Sequence, residues 1–128
     1  MVTLGLEPWR DEHFESGLKG NVMHVLIVNF KLKGIDEQQY AQMCDQVAPA
    51  FAAVPGLVSK VWLKNSETGT YGGVYFWQDR AAFERYCASD LFKSVAANPN
   101  LTEITARDFA VLDAPTRVTN GALIAVAS

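Results

Sequence analysis

From His24 to Leu32 the even positions read His24, Leu26, Val28, Phe30 and Leu32, while the odd ones carry Val25, Ile27, Asn29 and Lys31. This period of two predicts a strand with one oily face and one mixed face. Gly34 breaks the strand. Asp36 followed by Gln39 has the form of a capping box, and Tyr40, Met43, Cys44, Val47, Phe51 and Val54 then recur at the spacing of an amphipathic helix. Pro49, which lacks an amide donor, is expected to kink or weaken its last turns, and Pro55-Gly56 closes it. A second strand is predicted over Leu57 to Lys64, with Lys60, Trp62 and Lys64 on one side and Val61 and Leu63 on the other. Turn residues from Asn65 to Thr70 join it as a hairpin to a third strand, Tyr71 to Trp77, where Gly72-Gly73 lets another group approach the backbone.

Asp79 is placed to cap a second helix whose inner face is Phe83, Tyr86 and Cys87, and Leu91, Phe92 and Val95 continue after a break at Ser89-Asp90. Asn98-Pro99 stops this segment, and a last strand runs from about Thr102 to Leu112. Beyond Pro115 lies a tail with an apolar end, Ala122 to Ala127, suited to docking on a partner. The order strand, helix, strand, strand, helix, strand predicts an α+β, ferredoxin-like βαββαβ fold: a four-stranded antiparallel sheet with both helices on one face. The other face is left uncovered. By the alternation it carries Ile27, Asn29, Lys60, Trp62, Tyr75 and Trp77, too aromatic a patch to leave in water, so a second sheet is expected to face it in a homodimer.

Residues 1–22 show neither a clean period nor low complexity and read as an extension; residues 23–128 read as one domain with its tail. With 128 residues, 49% of them apolar, the chain can bury a core without disulfide or metal staples. Eleven Lys and Arg against fourteen Asp and Glu, with no basic run, argue against a nucleic-acid partner. No stretch approaches the roughly 20 apolar residues of a membrane span, and Glu7, Arg10, Asp11 and Glu12 stand where a signal peptide needs an apolar core. Two separated cysteines, Cys44 and Cys87, suggest neither a disulfide framework nor a zinc site, which fits a cytoplasmic location. Nucleophile-elbow, phosphate-loop and dinucleotide motifs are absent, and no carboxylates pair at ligand spacing, so no bound metal is expected.

The segments PGLVSKVWLKNSETGTYGGVYFWQDRAAFERY (55–86) and FAVLDAP (109–115) resemble the YdhR-type monooxygenases of the dimeric α/β-barrel superfamily, which also holds the antibiotic-biosynthesis monooxygenases. The resemblance spans roughly residues 24–120 and rests on the motifs PG-x-x-x-KVW and GG-x-Y followed by an acidic helix cap. It implies a homodimer with a pocket between sheet and helices. It also implies oxygenation of a small aromatic compound without flavin, haem or metal, with Asn29 on the first strand and Trp62 or Trp77 binding substrate. The haem-degrading relatives carry an axial histidine at the end of a segment like SDLFKSVA (89–96), and this chain has Ala96 there.

Cofactor-free oxygenation of a phenol, anthrone or quinol needs a deprotonated substrate, donors for its anion and exclusion of water. Asn29 offers an amide donor, Lys60 a positive charge, and Trp62 an N–H and a stacking face. Ile27, Tyr75, Tyr86 and His24 complete the substrate-binding set, and in the absence of a dedicated base the substrate proton is expected to pass to water or to His24. Each has a plainer reading beside this one. Asn29 serves equally to satisfy backbone, Lys60 and Lys64 to solvate a stripe, the aromatic residues to pack a core, and the cysteines to act as small hydrophobes. A non-catalytic binding protein, or an isomerase or decarboxylase-like member of the superfamily, are the alternatives to an oxygenase.

Overall fold

The structure is a computed structural model that describes residues 23–119; the extension at 1–22 and the apolar tail at 122–127 lie outside the described residues. The elements are β1 (His24–Leu32), α1 (Glu37–Ala52), β2 (Leu57–Asn65), β3 (Thr70–Trp77), α2 (Arg80–Cys87), α3 (Asp90–Ala97), β4 (Leu101–Ala110) and α4 (Asp113–Val118). The strands form one sheet in the order β2-β3-β1-β4, every neighbouring pair antiparallel. This is the ferredoxin-like fold that the order of elements predicts. Among the described residues no helix is long and apolar enough to cross a membrane.

Local signals set the helix ends. The Asp36 carboxylate accepts from the Gln39 amide at 2.8 Å while the Gln39 side chain accepts from the Asp36 amide at 2.9 Å, a complete capping box. Asp79 accepts from the Ala82 amide at 2.9 Å at the start of α2. Ser89 makes the break between α2 and α3: its hydroxyl donates to the Tyr86 carbonyl and accepts from the Phe92 amide. Pro49 does not end α1, which continues to Ala52. The C-terminal end differs from expectation. β4 stops at Ala110, and Asp113–Val118 form a short helix where a tail is predicted, with Asp113 and Arg117 paired across one turn at 2.9 Å. An acid and a proline in the first turn are helix-start signals that the strand pattern overshadows.

The core lies between the helices and one sheet face. Leu26, Val28 and Phe30 of β1 pack with Phe51 of α1, Phe83 and Tyr86 of α2 and Phe92 of α3. The register corrects the expected composition of the two faces. Leu26 pairs with Tyr75 and His24 with Trp77, while Tyr75 pairs with Lys60 and Gly73 with Trp62. Directly paired residues share a face, so Lys60, Trp62, Tyr75 and Trp77 stand with the oily side of β1, under the helices. Ile27 and Asn29 point the other way. The open face therefore keeps Val25, Ile27, Val61, Val74 and Phe76 with Phe109 of β4, and Val61 and Phe109 are 49% and 50% exposed.

Two glycines of β3 are required by close approach. A Cβ on Gly72 would stand 1.8 Å from the Val28 carbonyl oxygen, and one on Gly73 would stand 2.9 Å from Cε of Lys60. Gly69, in the hairpin turn at φ 70°, has open space around the same position. Gly72→Ala should therefore destabilise the fold by about 3 kcal/mol or prevent folding, the upper range for overpacking. Gly69→Ala should cost only about 1 kcal/mol for its left-handed backbone. Urea unfolding of the two variants checks this ordering, and equal losses would show that β1 and β3 are not packed this closely.

Candidate functional site

A cavity of about 120 Å³ opens between α1, α3 and the helix-covered face of the sheet. Cavities of roughly 150 Å³ accept a benzene-sized molecule, so the space suits a single small ring system. Met43, Cys44 and Val47 line it from α1, Leu91 and Val95 from α3, and Trp62 and Tyr75 from the sheet. Helical spacing on α1 places these side chains on the face turned to the sheet. Phe51, buried at 3% exposure, meets the Trp62 ring edge-on at 5.5 Å and so holds that wall upright.

Lys60 supplies the polar chemistry. Its Nζ stands 3.5 Å from the centroids of both Phe51 and Trp62 and 4.4 Å from that of Tyr75. Among the described residues the amine has no hydrogen-bond partner and no carboxylate partner, in contrast to the exposed Lys64, which reaches Glu37 at 3.2 Å. Removing an ammonium from water costs several kcal/mol, whereas each aromatic face returns only about 0.5–2 kcal/mol. Desolvation wins, and burial brings the Lys60 amine down to about 7 from the usual lysine value. The stem reaches this position because Gly73 presents no side chain across the strand.

The other ionisable groups of the wall shift the opposite way. Burial pushes Tyr75 up to about 12 and raises Tyr40 and Cys44 above their ordinary values. All three are therefore neutral near pH 7, able to donate hydrogen bonds but not to act as resting bases. At the rim Ser94 and Asn98 add uncharged polar groups.

The remaining predicted residues do not gather here. Asn29 lies on the open face, where its amide contacts the Tyr71 carbonyl at a long 3.4 Å. Ile27 shares that face. His24 is buried at the far end of β1, with Nε2 2.7 Å from Asp108 Oδ2 and its ring 4.8 Å from that of Phe83. Trp77 is fully buried behind Tyr75, stacked on it at 6.1 Å, and its indole N–H has no hydrogen-bond partner among the described residues. Tyr86 also stands behind Tyr75, the two hydroxyls 3.4 Å apart. Thus Lys60, Trp62 and Tyr75 line the cavity, Trp77 and Tyr86 back it, and Asn29, Ile27 and His24 lie elsewhere. Cys44 and Tyr40, read from sequence as helix core, are wall residues as well. Among the described residues no group of three or more His, Cys, Asp or Glu is placed to hold a metal ion.

A family model described as "Putative mono-oxygenase ydhR" matches residues 25–122. Solved structures with the same fold include SnoaB, a cofactor-independent oxygenase from Streptomyces nogalater, at 22% identity and a TM-score of 0.59, covering 70% of this chain and 93% of that one. Another is the haem degrader MhuD from Mycobacterium tuberculosis, solved with two haems in its active site, at 20% identity and a TM-score of 0.58, covering 70% and 95%. No curated protein matches.

The Lys60 shift has a consequence for stability. Its folded value lies below the unfolded one, so between about pH 7 and pH 10.5 the unfolded chain binds more protons and stability rises with pH. The stabilisation is complete above the unfolded value and is lost as pH falls to about 7. Lys60→Met removes this dependence. It should be more stable than the parent at pH 6, with the difference shrinking towards pH 10, as followed by urea midpoints; a constant difference would mean that the amine is solvated.

Proposed function

Because the chain belongs to the ydhR mono-oxygenase family, we propose that it oxygenates a small hydroxyaromatic compound, a phenol or quinol, held in the cavity between α1, α3 and the sheet. The observation that carries this reading is the pairing of an aromatic-walled cavity the size of one ring system with an amine at its wall that has no hydrogen-bond or carboxylate partner among the described residues. Trp62 and Tyr75 offer stacking faces, and Lys60 supplies charge towards the oxygen of the bound ring. The largely apolar lining limits the water beside the reacting carbon, as a reduced-oxygen intermediate requires. Molecular oxygen is the co-substrate, and the reading assigns no cofactor to the site. Ala96 on α3 presents only a methyl group where the haem-degrading pattern has an imidazole, so no step is routed through haem.

The open sheet face supports a homodimer. Its apolar residues on all four strands include Val61 and Phe109, each about half exposed. In this arrangement Asn29 and Ile27 belong to the subunit interface, and the pocket stays within each subunit.

Oxygen uptake by metal-stripped protein against a panel of hydroquinones, anthrones and naphthols tests the activity. Uptake without added cofactor, falling at least tenfold in Trp62→Ala, is the expected result. A larger loss in Asn29→Ala than in Trp62→Ala would move the chemistry to the other face of the sheet, and no uptake in the parent across the panel would count against an oxygenase. Light scattering should give twice the subunit mass for the parent and one subunit mass for Val61→Lys/Phe109→Lys. A monomeric parent at micromolar concentration would remove the dimer.

A further inference from the structure

Resting on the reading of the cavity as a hydroxyaromatic site, we propose that Lys60 is the proton acceptor of that site: its neutral amine takes the hydroxyl proton of the ligand, and the ammonium so formed holds the ligand anion. In this step the ligand O–H bond breaks and an N–H bond forms on Lys60. The electron pair stays on the ligand oxygen, and no oxidant takes part.

The amine is surrounded by Phe51, Trp62 and Tyr75 at 3.5, 3.5 and 4.4 Å, and all three rings belong to the cavity wall. Because Lys60 and these three rings all line the cavity, a ligand held there lies beside Nζ. A lysine drawn out of water commonly meets a carboxylate, yet among the described residues none contacts Lys60, and an anionic ligand in the cavity would supply that partner. The titratable groups facing Lys60 are Tyr40 and Cys44 from α1 and Tyr75 from β3, with Tyr86 of α2 behind Tyr75, and burial holds every one of them in its neutral, proton-bearing form. α3 contributes Leu91, Ser94 and Val95 to the wall, none of which ionises. The amine, brought down to about 7, is the lining group that exchanges a proton near neutral pH, where a general base works best. The substrate class narrows accordingly to compounds with an ionisable ring hydroxyl or enol, and excludes ethers and hydrocarbons of the same shape.

The test uses the full chain and 4-nitrophenol, a phenol that ionises near neutral pH and is yellow only as its anion. At pH 6 the free probe is colourless. The bound probe should be yellow, and Lys60→Met should bind it at least tenfold more weakly and leave it colourless. At pH 8, where the probe is largely anionic and the Lys60 amine largely neutral, binding to the parent should take up close to one proton, read by calorimetry in buffers of different ionisation enthalpy. Lys60→Arg, always charged, should also turn the probe yellow but take up none. That contrast is independent of whether the methionine variant folds. A colourless bound probe, equal proton uptake in parent and Lys60→Arg, or no binding at millimolar probe would each overturn the assignment. Ionisation of the probe with no oxygen uptake on any hydroxyaromatic compound keeps Lys60 as proton acceptor and removes the oxygenase reading. Oxygen uptake with a neutral bound probe does the reverse.

Discussion

The desolvation of one amine organises this molecule's chemistry. Lys60 lies in the middle of β2, where a strand that forms one wall of a core would ordinarily carry an apolar side chain. Placing an ammonium there is unfavourable, and the surroundings are arranged around that cost: three rings partly replace water, and Gly73 opens the path for the stem. Such a group is poor at stabilising a fold and well suited to changing protonation in response to a ligand. Clusters of aromatic residues are common in cores. Here the cluster also encloses an amine that, among the described residues, has no acidic partner, and it lies beside a cavity.

Backbone packing positions it. Gly72 allows β3 to approach the Val28 carbonyl of β1, and the adjacent Gly73 leaves the cross-strand space that Lys60 and Trp62 occupy. The Glu37 carboxylate accepts from the Ser66 hydroxyl at 2.6 Å and the Tyr71 hydroxyl at 2.9 Å, which ties the first turn of α1 to the β2–β3 hairpin. That tie sets where Tyr40, Met43 and Cys44 fall above the sheet, and hence where the cavity opens. The hydrogen bonds and the neighbouring Lys64 keep the Glu37 carboxyl below its ordinary value, so the clamp is charged and fully engaged at neutral pH.

Most of the architecture was legible because each element carries its own period and its own caps: Asp36 with Gln39, Asp79, and the Ser89 break all stand where the pattern puts them. The pairing of faces between strands was not legible. Alternation assigns residues within a strand to two sides but does not say which side of one strand continues into which side of the next; a lysine and a tryptophan on β2 look like an outward face until the partner residues are known. Leu26 opposite Tyr75, and Tyr75 opposite Lys60, decide the matter and separate Asn29 from the tryptophans. The role of Gly72-Gly73 as a place of close approach could be read, though not that the approaching groups are the β1 backbone and the stem of Lys60. Likewise Cys44 and Tyr40 carry the periodicity of core residues, and only the gap between α1 and α3 turns them into a wall.

One sheet thus serves two different environments. On the helix-covered side burial takes the ionisable groups partly out of water, which is what raises Tyr40, Cys44 and Tyr75 and lowers Lys60. Acids move up and the base moves down for the same physical reason, since burial disfavours whichever form carries charge. The result is a wall whose tyrosines and thiol are uncharged at neutral pH and whose one amine is divided there between its neutral and charged forms. Creating a cation and an anion together in such a place is far less costly than creating either alone, because each neutralises the field that the other would have had to bear unaided. With Lys60 in its proposed role, such a site would discriminate by acidity as well as by shape: a ligand able to give up a proton gains an ion pair in a medium of low polarity, and one of the same outline without that proton gains only the contact with the rings.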